Sequence, residues 1–133
     1  MQTLTWIIMG STGSAPGVLS LSGGRVAFEA FGRGALTMSQ LRTLEQRTGR
    51  PGLADHLTDG HRVPIFEAPL EAVTNVTFPW YYFGGGMKLT IGGHPFRFSF
   101  LQPQNTRFPG DLSTLGELTS GRAGGRAWKS VFA

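Results

Sequence analysis

The segment that decides the fold is Val18-Leu19-Ser20-Leu21-Ser22-Gly23-Gly24-Arg25-Val26-Ala27-Phe28-Glu29. Apolar and polar residues alternate on both sides of the Gly-Gly pair, which is the period of a β-strand with one buried face. Glycine accepts a positive φ at both central positions of a tight primed turn. We therefore predict a β-hairpin whose core-facing residues are Leu19, Leu21, Val26 and Phe28.

Strand patterns recur on both sides of this hairpin, at residues 3–9, at 62–67, from Val73 onward, at 87–91 and at 96–100. In the last pair, Gly92-Gly93 predicts a second tight turn. The strand that follows this turn has three phenylalanines on one face, Phe96, Phe98 and Phe100. The glycine-rich segment 10–17 breaks the first pattern, and we expect it to be a loop.

The period changes to that of an amphipathic helix at residues 37–49. The apolar stripe of this helix consists of Met38, Leu41 and Leu44. Thr37 with Gln40 fits a capping box, and Gly49 supplies a C-terminal stop. Residues 50–61 are polar and contain glycine, so a surface loop is expected there.

A second helix is predicted at residues 111–132, with Asp111 as its N-cap. Leucines follow at a spacing of three, at Leu112, Leu115 and Leu118. The segment also contains Gly121, Gly124 and Gly125, and each glycine costs about 1 kcal/mol relative to alanine in a helix. We expect the helix to break at these glycines and to resume at residues 126–132, with Trp128 and Val131 turned inward.

Composition limits the classes of protein that the chain can belong to. With 133 residues it has room for one domain, and the absence of cysteine excludes disulfide scaffolds and thiolate chemistry. Twelve Lys and Arg against eight Asp and Glu give a net charge of +4, without a basic block of the kind that binds nucleic acid. The first apolar run, residues 6–9, is too short for a leader or a membrane span, so a cytoplasmic location is expected.

Three segments resemble the pleckstrin-homology-like superfold, and particularly its GRAM-type branch. Residues 17–28 are similar to the first hairpin of those domains, with the pattern Gly-x-Leu-x-Leu-Thr followed by Arg-Leu-x-Phe. Residues 69–76 are similar to their Ile-Pro-Leu-x-x-Ile-x-x-Val element. Residues 87–100 resemble the closing hairpin that precedes the capping helix. Together the three segments cover about half of the chain.

The resemblance implies a mainly β (α+β) fold in a single domain, residues 1–133. That fold is a partly open barrel of seven antiparallel strands, capped by the C-terminal helix, with residues 32–62 as a short helical insertion between strands 3 and 4. Such domains bind phosphoinositide headgroups, other anionic lipids, peptides or partner proteins. The segment 10–17 has no Lys or Arg, whereas headgroup-binding members carry basic residues in the first loop. We therefore expect a non-enzymatic binding or adaptor domain, acting through a protein partner, a homo-oligomer or weak peripheral contact with an anionic membrane.

The aromatic stretch Phe78-Pro79-Trp80-Tyr81-Tyr82-Phe83 is the sharpest candidate for a contact surface. Strand alternation buries only about half of such a run on one face. The remainder either packs against the domain's own insertion or helix, the more frequent case, or meets a partner or a membrane surface, for which Trp and Tyr are typical. The charged residues between Phe78 and Gly110 are all basic. The predicted binding residues are Trp80, Tyr81, Tyr82, Phe83, Lys88, Arg97 and Arg107.

Other classes of function have weaker support in the sequence. No P-loop and no Gly-x-Ser-x-Gly elbow occurs in the sequence. We therefore expect neither enzymatic activity nor a cofactor. Specific nucleic-acid binding is not expected either, because the basic residues are scattered along the chain. One cluster has the residue types of metal ligands: Asp55, His56, Asp59 and His61. A metal-dependent hydrolase that uses these four residues is a further, weaker alternative. Spacing alone does not fix a coordination geometry, and no metal site is predicted. A carrier that encloses an apolar small molecule in the barrel or the insertion is the main alternative.

Overall fold

A computed structural model describes residues 1–58, 62–79, 85–103 and 121–133 and shows a seven-stranded antiparallel sheet with three α-helices. The strands are β1 (Gln2–Met9), β2 (Gly13–Ser22), β3 (Arg25–Ala30), β4 (Val63–Pro69), β5 (Val73–Thr77), β6 (Gly86–Ile91) and β7 (His94–Ser99). The helices are α1 (Met38–Thr48), α2 (Leu53–Thr58) and α3 (Gly121–Val131), and a 3-10 turn at Leu70–Ala72 separates β4 from β5. None of the helices in the described part of the chain is long and apolar enough to cross a bilayer.

The strands form one open sheet in the order β4-β3-β2-β1-β7-β6-β5. This confirms the predicted fold class: mainly β, seven antiparallel strands, helical residues between β3 and β4, and a helix at the C-terminus. Membership of the pleckstrin-homology-like superfold stays a prediction.

The β2–β3 hairpin forms as the sequence predicts. Ser22 pairs with Arg25 across the turn, and Gly23 and Gly24 have φ values of 58° and 73°. Three of the four residues predicted to face the core are buried, Leu19, Val26 and Phe28, whereas Leu21 is half-buried at the edge of the core.

The prediction of a loop at residues 10–17 is wrong, because β2 begins at Gly13 and pairs with β1 from Met9 backwards. Gly13 and Gly17 are strand residues at close approaches, whereas Gly10 lies in the turn between β1 and β2 with a φ of 63°. A Cβ on Gly17 would lie 2.2 Å from the carbonyl oxygen of Glu29. Pro16 faces Phe31, just past the end of β3, and its carbonyl accepts from the Phe31 N–H at 2.9 Å. The N–H that proline lacks would therefore point beyond the paired residues of β3.

The sheet curls until its two halves meet through aromatic rings. Phe66 on β4 lies 5.0 Å from Phe96 on β7, and Phe28 on β3 lies 5.3 Å from Phe98 on β7, centroid to centroid. We call the side of the sheet that carries these rings the inner face. Phe96, Phe98 and Phe100 are all buried, as predicted.

Helix α1 begins with the predicted capping box. Thr37 is the N-cap and Gln40 completes the box, while Gly49 ends the helix in the left-handed conformation. The predicted apolar stripe is wrong at one position, since Met38 is 41% exposed. Leu36, just before the N-cap, is buried instead, in the position of a hydrophobic staple.

The prediction of a surface loop at residues 50–61 is also wrong, because residues 53–58 form α2. Leu53, Ala54 and Leu57 are buried in the core. Their spacing places them on one face of a short helix, which the surrounding polar and glycine residues obscure in the sequence.

Helix α3 begins at Gly121, whose φ is 59°, and runs through Gly124 and Gly125, so it starts earlier than the predicted residue 126. Gly124 faces β1 so closely that a Cβ there would lie 2.5 Å from Cγ2 of Thr3. Trp128 is fully buried, and its Nε1 donates to Oγ1 of Thr3 at 2.9 Å. The predicted first half of this helix, residues 111–120, lies outside the described residues.

Candidate functional site

Two of the predicted binding residues lie directly opposite each other on adjacent strands. Lys88 on β6 pairs with Arg97 on β7, and Met87, Leu89, Phe96 and Phe98 around them are buried. Because side chains alternate along a strand, Lys88 and Arg97 project from the outer face of the sheet. We call this surface, with Thr77 and Thr90 beside it, the basic face.

Neighbouring backbone fixes the position of Arg97. Its guanidinium donates to the carbonyl oxygen of Gly10, in the turn between β1 and β2, and on β1 it pairs with Ile8. Lys88 is flanked on β5 by Thr77. Both cations are half-buried along their side chains, as expected for long basic residues whose stems lie on a sheet.

The sequence around the basic face contains no acidic residue over a long stretch. No Asp or Glu occurs from Ala72 to Gly110, so β5, β6 and β7 carry none. Elsewhere in the described part of the chain, ion pairs join Arg25 to Glu67, Arg42 to Glu45 and Arg62 to Glu29. Like charges placed directly opposite each other disfavour a sheet, and the hydrogen bond from Arg97 to Gly10 is one interaction that offsets this cost.

Most of the predicted aromatic surface lies outside the described residues. This holds for Trp80, Tyr81, Tyr82 and Phe83, and also for Arg107. Phe78, at the start of the stretch, is half-buried and packs against the core. The aromatic contact surface therefore stays a prediction, attached in sequence to the strand that carries Lys88.

The candidate metal cluster is only partly described. Asp55 and His56 lie on α2 with exposed side chains, and Asp59 and His61 lie outside the described residues. No three His, Asp or Glu side chains come together as a metal-binding group within the ranges that the structure describes.

A groove of about 420 Å³ crosses the outer face of β2, β3 and β4. Its charged residues are compensated within the protein: Arg62 Nε donates to Glu29 at 2.7 Å and Arg25 Nε donates to Glu67 at 2.6 Å. Because these charges are already paired with each other, we do not expect this groove to bind an ionic ligand.

A second groove of about 420 Å³ lies where the C-terminal end of α1 meets β4 and the β6–β7 turn. We call it the helix-end groove. Sequence analysis did not identify it, because its walls come from three separate segments, residues 46–50, 66–67 and 91–96. Its main cations, Arg47 and Arg50, flank a helix stop and form no motif.

The interior of the sheet is filled by side chains. Phe28, Phe98, Phe100 and Trp128 are among its largest fully buried residues. An apolar ligand enclosed between the described strands, as the carrier alternative requires, would have to displace these rings.

Comparison with protein-family models, with curated proteins and with solved structures found no match for the chain.

Proposed function

We propose that the protein is a non-enzymatic binding domain whose basic face contacts an anionic surface on a partner. The observation that carries the proposal is the opposed pair Lys88 and Arg97 on strands that have no acidic residue. The basic face would recognise a surface that carries several negative charges. An acidic protein surface and an anionic membrane both supply it.

The number of charges favours a modest affinity. Each Lys or Arg near an anionic membrane contributes about 1 kcal/mol, so two or three cations alone hold the domain only weakly. The aromatic segment 78–83 precedes β6 in the sequence, and its Trp and Tyr side chains would add apolar contact to either kind of partner.

Self-association through this face is disfavoured. In a two-fold symmetric dimer the same patch lies on both subunits, which brings Lys88 and Arg97 close to their copies. The proposed partner is therefore a different molecule.

The test measures binding of the full chain to poly-L-glutamate and to vesicles of phosphatidylcholine with increasing phosphatidylserine. We expect binding to at least one of the two at low salt and a loss of binding at high salt, because screening shortens the reach of exposed charges. The probe that binds, polypeptide or vesicle, shows whether the negative charge comes from a protein surface or from a membrane.

Lys88→Gln is the informative variant, and Lys129→Gln is the matched control, since Lys129 is exposed on α3. Loss of one cation from the contact should weaken binding roughly fivefold. An equal loss of affinity in both variants would mean that binding follows the net charge of the chain, and it would count against the basic face as the contact surface. Absence of binding in both arms at low salt would remove the proposal.

A further inference from the structure

We propose that the helix-end groove is a binding site for a small amphipathic anion, an aromatic or aliphatic carboxylate with one charged head and an apolar body. The site is separate from the basic face. Its lining includes Arg47, Arg50, Phe66, Glu67, Ile91 and Phe96.

The two arginines stand on opposite walls of the groove. Arg47 Nη1 donates to the carbonyl of Pro95 on β7 at 3.2 Å, and Arg50 Nη1 donates to the carbonyl of Pro64 on β4 at 3.5 Å. Each guanidinium has further N–H donors in its planar fork. The gap between β4 and β7 thus has a cation on each side.

No carboxylate of the described residues forms an ion pair with Arg47 or Arg50. Glu67, the acidic residue in the lining, is paired with Arg25 at 2.6 Å. The groove differs in this respect from the one on the outer face of β2–β4, where the charges neutralise one another. Its surplus positive charge is complementary to an anion.

The end of α1 opposes an anion, but more weakly than the arginines attract one. A helix C-terminus carries about half a negative charge, and Gly49 already satisfies one carbonyl by donating to Glu45 at 2.9 Å. Two full positive charges on flexible side chains outweigh this partial charge, so an anionic head is favoured between Arg47 and Arg50.

The floor of the groove is apolar. Phe66 and Phe96 lie with ring centroids 5.0 Å apart, and half-buried Ile91 adjoins them. Small-molecule sites combine such an apolar lining with a few polar anchors, and their volumes begin at about 300 Å³. A planar aromatic carboxylate fits both features, with its ring on the phenylalanines and its carboxylate between the arginines.

The experiment titrates the 133-residue chain with 2-naphthoate and, separately, with the neutral analogue 2-naphthalenemethanol. Backbone amide shifts in ¹⁵N-HSQC spectra of the wild-type chain locate the site without any variant. We expect saturable naphthoate shifts at residues 46–50, 64–67 and 91–96, and much weaker binding of the alcohol.

The variant Arg47→Gln/Arg50→Gln removes both cations, and Arg126→Gln on α3 is the matched control. We expect the double variant to weaken naphthoate binding at least about tenfold and the control to leave it unchanged. Equal affinity for the alcohol, shifts located elsewhere, no saturable binding, or full affinity in the double variant would each overturn the proposal.

Discussion

Gln40 joins the insertion to the sheet through a single side-chain amide. Its Oε1 accepts from the Thr37 N–H at 2.9 Å, which completes the capping box of α1. Its Nε2 donates to the carbonyl of Met9 at 2.9 Å, at the end of β1. The side chain fills the space beside Gly13, where a Cβ would lie 2.2 Å from Oε1.

Two substitutions separate these roles of Gln40. Gln40→Ala removes both bonds and should cost about 1 to 2 kcal/mol of unfolding free energy. Gln40→Glu keeps an acceptor for Thr37 but replaces the donor to Met9 with an oxygen, so it should also be less stable than the wild type. Urea denaturation measures both, and a Gln40→Glu protein as stable as the wild type would show that the bond to Met9 contributes nothing.

Local signals made part of this arrangement predictable from sequence. Thr37, Gln40 and Gly49 were read correctly because capping depends on residues within one turn of the helix. The bond to Met9 and the extension of β2 to Gly13 were missed, since both depend on residues far apart in the chain. A glycine that makes room for a distant side chain looks the same in sequence as a glycine that makes a loop.

At the scale of elements, Glu45 connects α1 with α2. Its carboxylate accepts from Arg42 Nη1 at 2.9 Å and from the Gly52 N–H at 2.8 Å. The hydrogen bond from Arg42 lowers the pKa of the Glu45 carboxyl, and the Gly52 N–H lowers this pKa further. The carboxylate therefore stabilises the turn that leads into α2.

The lowered pKa of Glu45 fixes the direction of its pH dependence. The ordinary pKa of Glu is about 4.3, and a depressed pKa in the folded state gives stability that is present above that value and lost as the pH falls through the folded pKa. Glu45→Gln should therefore be less stable than the wild type at pH 7, with a gap that narrows below about pH 4. Urea titrations at pH 7, 4 and 3 measure the gap, and a gap that stays constant to pH 3 would contradict the role given to the charge.

Helix α3 and β1 form the second coupling between elements, at Gly124 and Thr3. Helix propensity alone predicts that Gly124→Ala stabilises the chain by about 1 kcal/mol. The close approach to Cγ2 of Thr3 reverses the sign, and we expect a net loss of about 1 to 3 kcal/mol.

Thr3→Ser offers a direct rescue of Gly124→Ala, because it removes the Cγ2 methyl and keeps the hydroxyl that accepts from Trp128. The double variant should recover most of the stability that Gly124→Ala loses, relative to Thr3→Ser alone. Thermal unfolding of the four proteins in this cycle measures the coupling. Additive losses would mean that the contact does not limit the helix.

Helix prediction failed where tertiary contacts outweighed local preference. The glycines of α3 favour a break in an isolated peptide, yet the helix continues because close packing on β1 and burial of Trp128 stabilise it. Helix α2 was missed for the opposite reason: six residues give too little periodicity to be distinguished from a loop. The Gly-Gly hairpins were predictable because their turns need only local glycines.

At the scale of the whole molecule, both edges of the sheet resist pairing with another chain. Edge strand β4 contains Pro64 and Pro69, and β5 has a register shift near Asn75, whose φ is 53°. Prolines and bulges at edges are common protections against strand addition. This favours a face of the sheet over an edge as the surface that meets a partner.

The distribution of charge supports the same choice. The absence of acidic residues between Ala72 and Gly110 could be read from the sequence, and so could the projection of Lys88 and Arg97 from one face. Their direct opposition depends on strand register and became clear only from the structure. The helix-end groove was beyond sequence analysis, since nothing local brings Arg47 and Arg50 to Phe66 and Phe96.

The most direct test of the basic face is a pair of ¹⁵N-HSQC titrations of the full chain at low salt, one with a short poly-glutamate peptide and one with phosphatidylserine-containing bicelles. At least one should shift or broaden amides of residues 86–91 and 94–99, with little change in residues 121–131 of α3. Lys88→Gln should reduce the effect, and Lys129→Gln should not. Perturbation of α3 in place of β6 and β7, or no saturable change with either probe, would contradict the proposed binding surface.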